Sequence, residues 1–222
     1  MMTIKLSICF VVGLTLLVSY LLGCFNGSVV TSHFIIRDDV RKHGSGNAGL
    51  TNFYRTYGAK YALIVIGCDM AKTVLSCLIG GYLMLCTNGG WTLGVLLGGI
   101  GCELGHMFPA YYGLKGGKGI LSGGVLVWML DWRIGLIAWG LFVLLWLLTR
   151  YVSLGSITAT ASMPVTAFFV FHHDPLLTGL CAVVAALVIY CHRENIRRLL
   201  HGTEHKFRWH VNPVDPNESD SE

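Results

Sequence analysis

Three stretches of the sequence combine small residues, cations and hydrogen-bonding side chains in a way that suits the chemistry of anions. The first, GSGNAGLTNFYRTYG at 44–58, sets Ser45 and Asn47 among glycines and carries Arg55. Successive Gly-Ser-Gly-Asn residues let backbone N–H groups converge on a concave anion site. Ser45 and Asn47 add side-chain donors, and Arg55 supplies a planar, permanently charged fork for phosphate or carboxylate. The second, GHMFPAYYGLKGGKG at 105–119, ends in Lys115-Gly116-Gly117-Lys118-Gly119. Two ammonium groups and three glycines make a cradle for phosphate. It is not a Walker A loop, because Ile120 stands where a magnesium-binding Ser or Thr is needed, which argues against nucleotide hydrolysis. The third, YCHRENIRRLLHGTE at 190–204, places His192 and Asn195 three apart, on one side of a helix. Arg193, Arg197 and Arg198 can face lipid phosphates. Each stretch also has an ordinary alternative: a flexible loop with a snorkelling arginine, a basic loop, an interfacial helix end. The last of these leaves Asn195 unexplained.

The elements that position these stretches belong to a membrane protein. Mean hydropathy is +0.61, 54% of the residues are hydrophobic and 13% are charged, against roughly a quarter charged in soluble domains. Seven apolar runs read as helices: Leu6–Phe25, Tyr61–Leu85, Trp91–Tyr112, Ile120–Leu130, Ile134–Thr149, Tyr151–Phe171 and Leu176–Tyr190. Backbone in lipid must satisfy itself, which leaves helix as the solution for such runs. The expectation is an all-α, polytopic fold of about seven spans, the fourth too short to cross alone. Residues 1–206 form one membrane domain, and 207–222 a polar, disordered tail.

The basic residues orient it. Arg37, Arg41, Lys42, Arg55, Lys60, Lys115, Lys118, Arg150, Arg193, Arg197, Arg198, Lys206 and Arg208 fall on one side, 13 of the 16 Lys and Arg. The positive-inside rule then puts the N-terminus outside and the C-terminus in the cytoplasm. The net charge of +4 reflects this topology and implies no nucleic acid. All three polar stretches lie on the basic side, so segments distant in sequence can form one site there. Gly94-x-x-x-Gly98 and Gly101-x-x-x-Gly105 have the spacing for close helix packing.

Two patterns are set aside. The eight cysteines include no C-x-x-C pair and read as small buried hydrophobes. His201-Gly202-Thr203-Glu204-His205 spells H-x-x-E-H, but Gly202 weakens the rigid helix that zinc ligation would need, and no metal is expected.

Taken in order, the three stretches resemble the three signature segments of the PlsY family, bacterial acyl-phosphate:glycerol-3-phosphate acyltransferases. The similarity runs over nearly the whole chain, including Tyr20–Gly23, Asp69–Lys72 and RYVSLGSITA at 150–159. The chain departs from the family pattern at Ala48, where proline is common, at Leu50 for alanine, and at Cys191 for arginine. The resemblance implies transfer of a fatty acyl group from acyl phosphate to the 1-hydroxyl of glycerol 3-phosphate, without cofactor or metal. It implies Ser45, Arg55, Lys118, His192 and Asn195 as catalytic residues. Gly44, Gly46, Asn47, Thr51, Asn52, Gly116, Gly117, Gly119, Ser156 and Glu194 would bind substrate, with Ser156 as a further donor and Glu204 in a structural role. It further implies a multi-pass protein of the bacterial inner membrane, with its site facing the cytoplasm; a monomer suffices. The competing class is a transporter of a phosphorylated solute, for which Asp69, Lys72 and Glu103 would be intramembrane charges.

Overall fold

The computed structural model describes residues 7–208 apart from residue 88. Among these residues there are helices and turns and no strand. The helices are α1 (Ile8–Cys24), α2 (Gly27–Thr31), α3 (Leu50–Tyr57), α4 (Ala59–Leu85), α5 (Trp91–Met107), α6 (Ile120–Leu130), α7 (Trp132–Thr149), α8 (Val152–Val170), α9 (Pro175–Cys191) and α10 (Arg193–Leu200).

The all-α architecture agrees with expectation. Five segments are long and apolar enough to cross a bilayer: Ile8–Ile36, Ala59–Leu85, Trp91–Tyr112, Trp132–Thr149 and Val152–Val170. A sixth arises only if α9 and α10 count together across a 61° bend. α6 has 11 residues and is roughly 16 Å long, about half a hydrocarbon core. It starts at the cavity described below, and α7 begins directly after Asp131, whose carboxylate accepts the Arg133 N–H at 2.8 Å.

α5 is the hub. Of its apolar window 78% is buried, against 17% for α7, so one is wrapped by protein and the other by lipid. The two glycine pairs of α5 serve different neighbours. A Cβ at Gly94 or Gly98 would collide with the backbone of α4, at Gly80 and Ser76 respectively. A Cβ at Gly101 or Gly105 would collide with α1, at Leu16, Ser19 and Tyr20. With lipid as apolar as any side chain, this close backbone approach supplies the packing that holds the helices together. Beyond α5, Leu96, Leu126, Ile134, Ala138, Met163 and Val184 form a core shared by α5–α9.

A second, smaller core seats the first polar stretch. Phe53 and Tyr57 of α3 pack with Val29, Val40, Ala48 and Val65. Phe207, assigned to the tail by sequence, packs against the bundle. Phe207 stacks on Tyr54 at 5.5 Å and meets Trp146 edge-on at 5.4 Å, and its N–H donates to Arg150 O at 2.8 Å. Residues 209–222, which hold the acidic stretch, lie outside the described residues.

Candidate active site

The loop before α3 turns on two glycines in the left-handed region, Gly44 (φ 56°) and Gly46 (φ 69°). Its backbone donors were expected to converge on an anion, and three are already committed. Ser45 N–H donates to Asn52 Oδ1 at 3.0 Å, Gly46 N–H to His43 O at 3.0 Å and Ala48 N–H to Gly116 O at 3.4 Å. What the loop presents is side chains. Asn52, expected to touch substrate, lines the cavity and also holds the loop: its Nδ2 donates to Val40 O and His43 O at 3.2 and 3.1 Å. A Cβ at Gly44 would strike Asn52 Oδ1. Asn26, which sequence reasoning passed over, donates to Ala48 O at 3.1 Å.

The second loop is stitched to the first and to α5. Asn47 Nδ2 donates to Gly116 O at 3.3 Å, and Gly117 N–H to His106 O at 3.0 Å. Its glycines are bare mainly because α5 stands behind them. A Cβ would meet His106 O at Gly116, His106 Nε2 at Gly117 and Glu103 Oε2 at Gly119. Gly119 (φ 79°) then starts α6. Lys115 is exposed, and Lys118 alone of the two ammonium groups lines the cavity.

The third stretch bends at His192, where α9 gives way to α10. His192 is buried, and its Nδ1 lies 2.8 Å from Val188 O. A carbonyl can only accept, so Nδ1 carries the proton and Nε2 keeps a lone pair. Asn195 is buried on the same side, as their spacing requires. Its Oδ1 accepts from Lys118 Nζ, and its Nδ2 donates to Glu204 Oε1 at 2.7 Å.

The acid of the site is Glu204, whereas Glu194 is exposed and faces away. α10 closes in a Schellman cap: Gly202 (φ 68°) donates to Leu199 O at 3.2 Å and Thr203 to Arg198 O at 2.8 Å. The chain thereby turns back. Glu204 then accepts from Ser153 Oγ at 2.9 Å and from Arg198 Nε at 2.7 Å, besides Asn195. The H-x-x-E-H pattern is thus a helix end. Among the described residues no group of three His, Cys, Asp or Glu is placed to hold a metal ion. Ser156 lines the cavity but donates its hydroxyl proton to Val152 O at 2.9 Å, so it offers an acceptor where a donor was expected.

These residues border one cavity of about 300 Å³. Ser45, Asn47, Thr51, Asn52, Arg55, Lys118, Gly119, Ser156, His192 and Asn195 line it, joined by Ser153, Arg198 and Glu204. Gly44, Gly46, Gly116 and Gly117 support it from behind. Arg55, Lys118 and Arg198 gather around Glu204 at this polar end. Burial, then the nearby Arg198, lowers the Lys118 pKa to about 8, with Glu204 opposing the fall. Burial also lowers that of Arg55. For Glu204, burial opposes ionisation, but hydrogen bonds from Asn195, Arg198 and Ser153 outweigh it and the pKa falls. The other end is apolar, walled by Ile120, Val127, Trp139, Phe142 and Met163.

Comparison with known proteins matches residues 13–202 to the family model described as glycerol-3-phosphate acyltransferase. The chain is 39% identical over 193 residues to the glycerol-3-phosphate acyltransferase of Thermoanaerobacter pseudethanolicus, covering 87% of this chain and 94% of that protein. It is 36% identical to that of Mycoplasmopsis agalactiae, covering 93% and 98%. The crystal structure of PlsY (YgiH), an integral membrane glycerol 3-phosphate acyltransferase, in its glycerol 3-phosphate form superposes with a TM-score of 0.79 at 35% identity, over 89% of this chain and 96% of that one. Its lysophosphatidic acid form gives a TM-score of 0.75 at 32% identity, over 94% and 99%.

Proposed function

Because the chain belongs to the glycerol-3-phosphate acyltransferase family, we infer that its cavity transfers a fatty acyl group from acyl phosphate to the sn-1 hydroxyl of glycerol 3-phosphate. The products are lysophosphatidic acid and inorganic phosphate, the first step of phospholipid synthesis. The observation that carries this is the union, in one cavity, of a cationic polar end with an apolar one. Acyl phosphate and glycerol 3-phosphate both bring phosphate, and only the acyl donor brings a long hydrocarbon.

Arg55, Lys118 and the N-terminus of α6 suit phosphate, the first two by charge and the third by its free N–H groups. Ser45, Asn47 and Thr51 add polar side chains beside them. Asn195 is held by Lys118 and Glu204 and fixes where the ammonium points. The hydroxyl oxygen of glycerol 3-phosphate attacks the acyl carbonyl carbon, the bond from that carbon to the phosphate oxygen breaks, and phosphate departs. Lys118 and Arg55 offset the charge that grows on the leaving group. Acyl phosphate is already activated, so positioning and electrostatics carry the step, directly and with no acyl-enzyme. The lone pair on His192 Nε2 suits it to accept the hydroxyl proton; a phosphate oxygen of the substrate is the alternative acceptor.

We assign the polar end to the cytoplasmic side of the bacterial inner membrane, on the strength of the 13 basic residues gathered there. The protein acts as a monomer in this reading, since every group invoked comes from one chain. The transporter alternative is the weaker, because Asp69 and Lys72 are paired with each other at 2.8 Å inside the bundle.

Purified protein supplied with acyl phosphate and labelled glycerol 3-phosphate, with no added metal or CoA, should release lysophosphatidate and phosphate in equal amounts. No product, or acyl groups trapped on Ser45, would refute the mechanism.

A further inference from the structure

Behind the second loop lies a buried charged cluster that the chemistry above leaves without a task. Asp69, Lys72 and His106 are 1%, 5% and 3% exposed. Lys72 Nζ is 2.8 Å from Asp69 Oδ1, 3.0 Å from Phe25 O and 3.3 Å from Gly23 O. It is also 2.8 Å from His106 Nδ1. An ammonium has protons to give and no lone pair, so Nδ1 of His106 must accept. A neutral imidazole that accepts at Nδ1 carries its proton on Nε2.

That Nε2–H edge faces the second loop. A Cβ at Gly117 would overlap His106 Nε2, and the His106 carbonyl receives the Gly117 N–H at 3.0 Å. His106 also lines the cavity beside Lys118. No group among the described residues accepts a hydrogen bond from its Nε2. His106 and His192, both on the cavity, are therefore opposite tautomers. His192 presents a lone pair and His106 presents a proton.

We propose that the Nε2–H of His106 donates a hydrogen bond to a phosphoryl oxygen of a substrate held on the 115–119 loop, with Asp69 and Lys72 as positioning residues that fix this tautomer. This rests on the acyl-transfer reading for the identity of the substrate, but not for the direction of the donor. It gives the buried ion pair a purpose: the carboxylate fixes the ammonium, and the ammonium occupies Nδ1. Gly117 stays bare so that the ring edge reaches the loop.

Two near-isosteres separate this from a purely structural histidine. His106→Asn keeps an acceptor near the Nδ1 position for Lys72 and loses the distal donor. His106→Gln places an amide N–H near the Nε2 position and loses the acceptor. With each substrate varied in turn, the Asn variant should raise the KM of one phosphate substrate by about tenfold or more, the worth of a hydrogen bond to a charged group. Its kcat should change less, and the Gln variant should stay within about threefold of wild type. Whichever KM moves identifies the phosphate contacted, that of the acyl donor or that of glycerol 3-phosphate. Wild-type KM values in the Asn variant, or a Gln variant no better than Asn, would overturn the proposal.

A second measurement needs neither variant nor catalysis. In wild-type protein with ¹⁵N-labelled histidine, a slowly exchanging Nε2–H resonance should shift on addition of inorganic phosphate. His192, protonated at Nδ1, reports separately. No such shift overturns the proposal even if the variants fail to fold. Failure of the acyl-transfer reading would appear elsewhere, as wild-type protein that makes no lysophosphatidate.

Discussion

Lys118 is the residue on which the site's charge is most finely balanced. Burial and Arg198 press its pKa down to about 8, and Glu204 resists. The ammonium form is the one that holds phosphate, and it is lost as pH rises through that value. Since kcat/KM reports the free enzyme, it should hold steady below about 8 and fall above it. Lys118→Arg, charged throughout the range, should be slower but lose this alkaline limb. Glu204→Gln should move the limb to lower pH, because it removes the carboxylate that supports the ammonium; an unmoved limb would show that another group titrates. Arg55→Ala and Lys118→Ala each remove a charge-assisted hydrogen bond, so each should cost roughly 10–100-fold in kcat/KM, and the double variant should be inactive. Activity in the double variant would rule out this phosphate seat. Residue type and spacing single out Ser45, Arg55, Lys118, His192 and Asn195, all of which line the cavity. They could not choose between Glu194 and Glu204, since the choice turns on the left-handed Gly202 that folds the chain back after α10. Nor could they separate Asn52 from Asn47: both are polar neighbours of glycine, and only tertiary contacts show one holding backbone carbonyls across the loop.

Among the elements, α5 carries the site by packing rather than by contact chemistry. Its glycines admit α4 on one side and α1 on the other, and its last turn lies under the second loop. Gly98→Ala would drive a methyl group into Ser76 O, and Gly105→Ala would drive one into Tyr20 O. Such overpacking typically costs about 1–3 kcal/mol, so both variants should melt earlier in detergent and lose activity in proportion. Gly140→Ala in α7 meets nothing within 4 Å and should be neutral or slightly stabilising, by up to about 1 kcal/mol. Equal melting of all three would mean that small residues do not decide this packing. The spacing of these glycines was visible in the sequence, but not that successive pairs serve different helices, which depends on α5 lying between two neighbours. Apolar runs marked every long helix correctly. They could not fix the number of spans, because hydropathy records composition, whereas a crossing also depends on length, and α6 has 11 residues.

For the whole molecule, the bundle collects its anion-binding groups at one end, and the distribution of charge sets which side of the membrane that end meets. α4 leaves the cavity end and finishes at Leu85, and α5 returns from Trp91 to the second loop, so Cys86 and Lys115 mark opposite ends. Both are exposed. Phosphorylated substrates made in the cytosol are too polar to cross lipid unaided, so a cavity opening outward would starve. On intact spheroplasts, a membrane-impermeant maleimide should therefore modify Cys86 and spare a cysteine placed by Lys115→Cys, in a background with the other exposed thiol, Cys9, replaced. Permeabilisation should make the second site reactive. The reverse pattern would turn the bundle over and leave the basic residues on the wrong side of the positive-inside rule. It would also require glycerol 3-phosphate to arrive from outside the cell.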